Sequence, residues 1–292
     1  MKMINVFTKV VVSAVVLVSV TLLPSLPYSL SAQTKQVSVS LQKNVSVINV
    51  PSKSMNKTVP TLVILPSSYD TDKSKKYPVM YLLHGYGGNH MSWYKIRPDI
   101  QKLASQFDMI VVCPDGFKSS WYWDSPIDST VKYETFVSKE LIQYIDKNYR
   151  TNATRKGRAI TGLSMGGHGG LWLGFRHQDV YGACGSMSGG VDIRPFPNNW
   201  EMTKRLGDAV KNADVWEKHT VMNQLHLLKP NSIRIAFECG VDDFFYEVNE
   251  RLHKELLYRN IPHDYTTRPG KHNSPYWNNA LPYQMHFFST GF

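Results

Sequence analysis

Hydrophobic and polar positions follow two regimes along the chain. Between residues 36 and 50 they alternate (Val37, Val39, Leu41, then Val45 and Val47), the period-two pattern of a half-buried strand. A second apolar run, Thr61 to Leu65, is closed by Pro66. Together they predict an antiparallel start to a sheet. Beyond that point short, mostly apolar strands interchange with helical segments. Strands are predicted at 79–83, 109–113, 158–163, 183–187, 233–239 and 264–268. Continuous apolar runs are what a parallel sheet covered on both faces requires. A helix is predicted over 133–149, where Val137, Leu141, Tyr144 and Ile145 share a face. Another is predicted over 246–259, with Val248, Leu252 and Leu256 four residues apart. The alternation of strand and helix implies a doubly wound α/β domain with right-handed crossovers. The longest connection, 190–231, carries helix-like pieces at 200–212 and 214–225 and is expected to line a site at the strand ends.

The first 32 residues do not fit this scheme. Lys2 and Lys9 precede a nearly pure apolar run from Val10 to Leu23, Pro24 and Pro27 break it, and Ser31-Ala32 offers small residues for cleavage. This is the layout of a secretory signal peptide, with a retained membrane anchor as the rival reading. The expectation is a secreted or periplasmic protein with no stable membrane insertion once the leader is removed.

Composition sets outer bounds. A chain of 292 residues with 42% hydrophobic and 19% charged side chains has ample material for a core. The formal charge of +10 falls by two when the leader is removed, and the basic residues are scattered. No zinc-finger or RNA-binding signature is present, so no nucleic-acid partner is expected. Three cysteines exclude a disulfide-built scaffold and a four-thiolate zinc site. Cys113, Cys184 and Cys239 all sit in strand-like runs and are expected to be buried thiols, with a Cys184–Cys239 bridge as the alternative. No metal or cofactor motif is visible, and the oligomeric state is not legible.

The most informative string is Gly162-Leu163-Ser164-Met165-Gly166-Gly167. It follows a predicted strand and opens a helix-like run, the context in which G-x-S-x-G is a nucleophile elbow. The serine must take a strained conformation to stand clear of the sheet. Side chains two residues either side would collide with neighbouring strand and helix, hence Gly162 and Gly166. A serine nucleophile needs a histidine, and the histidine needs a carboxylate to fix its tautomer. The chain order expected with such an elbow is Ser, then acid, then His. Of His253, His263, His272 and His286, only His272 lies in a loop just past a predicted strand. The acid should leave the strand at 233–239, where Asp242 and Asp243 are both available. Asp243, three residues after Gly240, is preferred, with Asp242 left open. Oxyanion donors are expected from Met165 N–H and from the glycine-rich loop His84-Gly85-Tyr86-Gly87-Gly88, at Tyr86 N–H or alternatively Gly87. His84 is expected to hold that loop.

These pieces resemble the esterase D-like branch of the α/β-hydrolases, which includes S-formylglutathione hydrolases, feruloyl and acetyl-xylan esterases, and mycolyltransferases. The matching segments are Leu82 to Gly88 with Trp93, Pro114-Asp115-Gly116, Tyr133 to Phe136, Gly162 to Gly167, Gly240 to Phe244, and Gly270-Lys271-His272 with Trp277. The resemblance implies an α/β-hydrolase fold, a mostly parallel central sheet with helices on both faces and an antiparallel N-terminal start. It implies one catalytic domain over 33–292, with Ser164 as nucleophile, His272 as base, Asp243 as orienting acid, and Tyr86 and Met165 as oxyanion donors. Glu134 matches a family acid expected to be structural.

The leader argues against a cytosolic formylglutathione role and for acylated carbohydrate, acetyl or feruloyl, as substrate. Trp121 and Trp123, in the loop after the strand at 109–113, are expected to contact it, as are Phe244 and Trp277. An acyltransferase and a non-catalytic glycan-binding domain are the other readings.

Overall fold

The computed structural model describes residues 41–292. The predicted leader and the alternation at Val37 and Val39 lie outside the described residues. Eight strands build one sheet: β1 (Val45–Ser52), β2 (Lys57–Ile64), β3 (Val79–Leu83), β4 (Ile110–Pro114), β5 (Arg158–Gly162), β6 (Ala183–Met187), β7 (Arg234–Gly240) and β8 (Asp264–Arg268). Their order is β1-β2-β4-β3-β5-β6-β7-β8. β1 pairs with β2, and β2 with β4, antiparallel. Every pairing from β4 to β8 is parallel. This is the mostly parallel sheet with an antiparallel start that the chain pattern implied.

β3, β4, β5 and β6 are buried at every position because helices cover both faces. Val63, Val79, Tyr81, Ile110 and Val112 pack with Val137, Leu141, Leu171, Trp172, Val248 and Leu252 from helices on one side. Leu62, Ile64, Met80, Leu82 and Val111, one residue out of phase, pack with Trp93, Leu103, Leu281, Met285 and Phe288 on the other. Each fully buried side chain of this size contributes about 1.5–3 kcal/mol, so the two layers fix the register of the central strands.

The ends of the sheet depart from expectation. β1 begins at Val45, and Val47 is exposed rather than sharing a buried face with Val45. β2 begins four residues before Thr61 and runs through Pro60, whose carbonyl still accepts Asp115 N–H. β8 is exposed at three of its five positions, because as the last strand it has only one neighbour. The predicted helix at 133–149 is continuous over 133–148, with a wider π turn at Phe136–Glu140. The predicted helix at 200–212 is reduced to Thr203–Leu206, and the piece after it splits into Ala213–Lys218 and a 3₁₀ turn at Met222–Leu227. Gly207, at φ 82°, ends the first of these.

Cys113, Cys184 and Cys239 are free and buried. Cys184 lies opposite Ile235 on the next strand, four positions from Cys239. That offset is about 13 Å along a strand, beyond the reach of a disulfide. Burial pushes all three thiols up, away from the reactive thiolate form.

Candidate active site

β5 ends at Gly162 and the Met165–Arg176 helix begins three residues later. Ser164, between them, sits at φ 55° and ψ −117°. A non-glycine residue in this region is strained, and such strain persists only where the surroundings impose it. They do so here through packing that only glycine permits. A Cβ on Gly162 would lie 2.5 Å from the Leu83 carbonyl oxygen, and one on Gly166 would lie 2.6 Å from the Leu83 carbonyl carbon. Strand, elbow and helix thus touch backbone to backbone. Gly166→Ala is predicted to cost about 1–3 kcal/mol and to lower Tm by several degrees. An unchanged melt would show that β3 can yield.

The Ser164 hydroxyl reaches a ring delivered from far along the chain. His272 Nε2 is 2.8 Å from Ser164 Oγ, and His272 Nδ1 is 2.8 Å from Asp243 Oδ2. Asp243 Oδ1 accepts Phe245 N–H at 2.8 Å, so both carboxylate oxygens are engaged. Asp243 follows β7 and is buried, whereas Asp242 is exposed. His272 follows β8. The two loops touch at glycines, since a Cβ on Gly240 would collide with the Gly270 carbonyl. Asp242 N–H donates to that carbonyl at 3.0 Å. The His272 ring is caged by Phe244, Phe245 and Trp277, with centroids 4.3, 5.4 and 4.9 Å away. Such a relay can take a proton from a serine hydroxyl and hold it while an acyl group transfers.

A second loop faces the serine. Within it, Gly87 N–H is engaged by Lys118 O and Gly88 N–H by Gly85 O. On the helix side, Gly166 N–H is engaged by Leu163 O. Among the described residues, Tyr86 N–H and Met165 N–H have no acceptor, the state expected of donors kept for a developing oxyanion. His84 clamps this loop. Its Nδ1–H donates to Gly85 O at 2.7 Å, and its Nε2 accepts Gly116 N–H at 2.7 Å. Full burial lowers its pKa and keeps the ring neutral.

A pocket of about 340 Å³ opens above Ser164 and His272. Its walls are Tyr86, Ile96, Leu163, Trp200, Phe244 and Trp277. Among the described residues, no group of three or more His, Cys, Asp or Glu side chains is placed to hold a metal ion.

The model of the Esterase family matches residues 52–288. The chain belongs to the Esterase family. An esterase of Mycobacterium tuberculosis is 30% identical over 237 residues, 72% of this chain and 51% of that protein. The chain therefore spans about half the length of that relative. An acetyl esterase of Caldicellulosiruptor saccharolyticus is 26% identical over 252 residues, 80% of this chain and 94% of its own. Among solved structures, a ferulic acid esterase superposes with a TM-score of 0.73 at 30% identity, covering 85% of this chain and 98% of that one.

In this member of the Esterase family, two expected substrate contacts are displaced. Trp121 and Trp123 are fully buried and do not line the pocket. They stack on each other at 5.6 Å. Trp123 Nε1–H donates to His168 Nε2 at 2.8 Å, and His168 Nδ1–H donates to Gly190 O at 2.9 Å. The pair is a foundation: Trp121 lies 5.9 Å from Trp200, which does face the pocket. Phe244 and Trp277 line the pocket. Trp200 carries no such signal in the sequence. It lies at φ 50° in the 190–231 connection, followed by Glu201 at φ 56°, and no periodicity marks such a position. Glu134 accepts Arg176 Nε–H and Trp172 Nε1–H and bonds His177, tying down the far end of the helix that starts at the elbow.

Burial lowers the His168 pKa from 6.5 to about 3. The folded state holds this ring neutral where the unfolded chain protonates it. Its contribution to stability is present above pH 6.5 and is lost as the pH falls, by about 1.4 kcal/mol per pH unit. His168→Gln should therefore flatten the fall in Tm between pH 6.5 and 5, and a slope identical to wild type would refute the assignment.

Proposed function

We propose that this protein is a serine carboxylesterase that removes acetyl or feruloyl groups from acylated plant-type polysaccharide or oligosaccharide through an acyl-enzyme. The observation that carries the reading is the unbroken Ser164–His272–Asp243 chain of 2.8 Å contacts beneath an aromatic pocket. Ser164 Oγ attacks the ester carbonyl while His272 takes its proton and Asp243 holds the imidazolium. Tyr86 and Met165 N–H receive the negative charge on the carbonyl oxygen. His272 then protonates the departing sugar hydroxyl. In the second half, His272 activates water, which frees the acid and restores the serine.

Trp200, Phe244 and Trp277 offer ring faces to a phenolic acyl group or to a sugar. Relatives named acetyl esterase and ferulic acid esterase support the substrate class. The apolar leader supports export, and the catalytic domain is read as residues 33–292. Among the described residues no helix is long and apolar enough to cross a membrane.

The test is a panel of nitrophenyl acetate, methyl ferulate, and acetylated and feruloylated xylo-oligosaccharides. Turnover of the synthetic acetate and of at least one acylated oligosaccharide is expected. Hydrolysis of simple esters alone would remove the carbohydrate assignment, and no turnover at all would remove the esterase one.

A further inference from the structure

β8 delivers His272, and beyond the backbone ladder to β7 few side chains hold the C-terminal end of that strand. It is an edge strand paired only to β7. On one face Tyr265 packs against Phe237 and His253, at 4.7 and 4.6 Å. On the other face β8 presents Asp264, Thr266 and Arg268 beside the Ser274–Ser289 helix, with no apolar side chain among them. Thr267 is exposed. Besides that ladder, the side chain that reaches across from the strand end next to His272 is that of Arg268.

Arg268 makes a close charge contact that lacks hydrogen-bond alignment. Its Nη1 lies 2.7 Å from Glu238 Oε2 on β7, and its guanidinium lies 4.4 Å from the Tyr283 ring centroid. Glu238 is only 2% exposed and sits opposite Thr266, one diagonal step from Arg268. Gln284 and Tyr276 face its carboxylate. The same Tyr276 ring packs against Gly270, in the loop to His272. Asp243 comes five positions after Glu238 and His272 four positions after Arg268 along the chain.

We infer that the Glu238–Arg268 pair is a clasp that fixes the exit of β8 against β7 and so positions His272 between Asp243 and Ser164. This rests on the reading of His272 as the base. Both residues are positioning residues, since neither touches the serine or lines the pocket. A buried ion pair is a poor choice for stability alone, because desolvating two charges offsets most of their attraction. Burial raises Glu238 to about pKa 7 even with Arg268 beside it, so the site tolerates a costly group. What the charge contact adds over apolar packing is an attraction between two fixed points, one on each strand, that draws the exit of β8 onto β7.

The test uses the full chain and nitrophenyl acetate. Arg268→Met is expected to lower kcat by about tenfold to a hundredfold with KM within about twofold, as small misplacements of a catalytic group do. Amide exchange across residues 264–273 should accelerate. Arg268→Lys, which keeps the charge and loses the planar guanidinium over Tyr283, should recover part of kcat. If Arg268→Met does not fold, Arg268→Lys carries the test, with an expected loss of about threefold to tenfold. Wild-type kcat in the folded Arg268→Met protein, or in Arg268→Lys when it stands alone, overturns the clasp. A wild-type protein that turns over no ester overturns the hydrolase reading instead. In that case the exchange measurement decides the clasp, and unchanged rates across 264–273 reject it.

Discussion

Ser164→Ala is expected to lower ester turnover by a factor on the order of 10⁵–10⁶ while leaving the melt unchanged. The substitution removes Oγ and keeps Cβ, so the elbow at φ 55° bears the same strain in both proteins. Gly162, Gly166 and the Leu83 backbone still meet as before. His272 and Asp243 remain paired at 2.8 Å but have nothing to deprotonate. Residual hydrolysis would come from the Tyr86 and Met165 N–H groups acting on attack by water. Turnover of nitrophenyl acetate measures the loss. Intact-mass analysis after rapid quenching should find an acyl adduct on wild type and none on the variant. Activity within tenfold of wild type would mean that another group does the chemistry.

Asp243→Asn is expected to lower kcat by about 10⁴, for a reason specific to this loop. Asp243 Oδ1 accepts Phe245 N–H, a buried donor that needs an acceptor. In the variant the amide oxygen must stay on that N–H, which turns the NH₂ group toward His272 Nδ1. A donor at Nδ1 forces the ring proton onto Nε2, the nitrogen facing Ser164. The histidine then presents a donor where a base is required. The fold should persist, because the hydrogen-bond count is unchanged. A single-turnover assay against pH measures the effect. If Asp243→Asn retained most of its activity, or if Asp242→Asn proved equally damaging, the choice of acid would fail.

The strength of each local signal explains what could be foreseen. The central strands were legible because burial on both faces demands uninterrupted apolar residues, and 79–83 and 183–187 match to the residue. The elbow was legible because backbone contact leaves glycine as the only residue that fits at 162 and 166. Chain order and a place after β8 single out His272, whereas spacing leaves Asp242 and Asp243 both open and only the family resemblance points to Asp243. The burial of Trp121 and Trp123 is not legible, because an aromatic run reads alike whether it faces solvent or props a wall from behind. Only contacts with His168 and Trp200 tell the two apart. The piece at 200–212 failed as a helix because periodic apolar residues also occur in irregular segments clamped by neighbours. There Trp200 is held by Phe196, Phe244 and Phe245. β8 gave little warning of its exposure, since an edge position is a property of topology and not of five residues.

The three thiols set beneath the sheet layers bear on how the molecule can be handled. No cross-link has to form for the chain to reach its native state, so an oxidising host and an isomerase are unnecessary. Expression of residues 33–292 in a reducing bacterial cytosol should yield active material. Iodoacetamide or maleimide dyes should leave the native protein unlabelled until it is denatured.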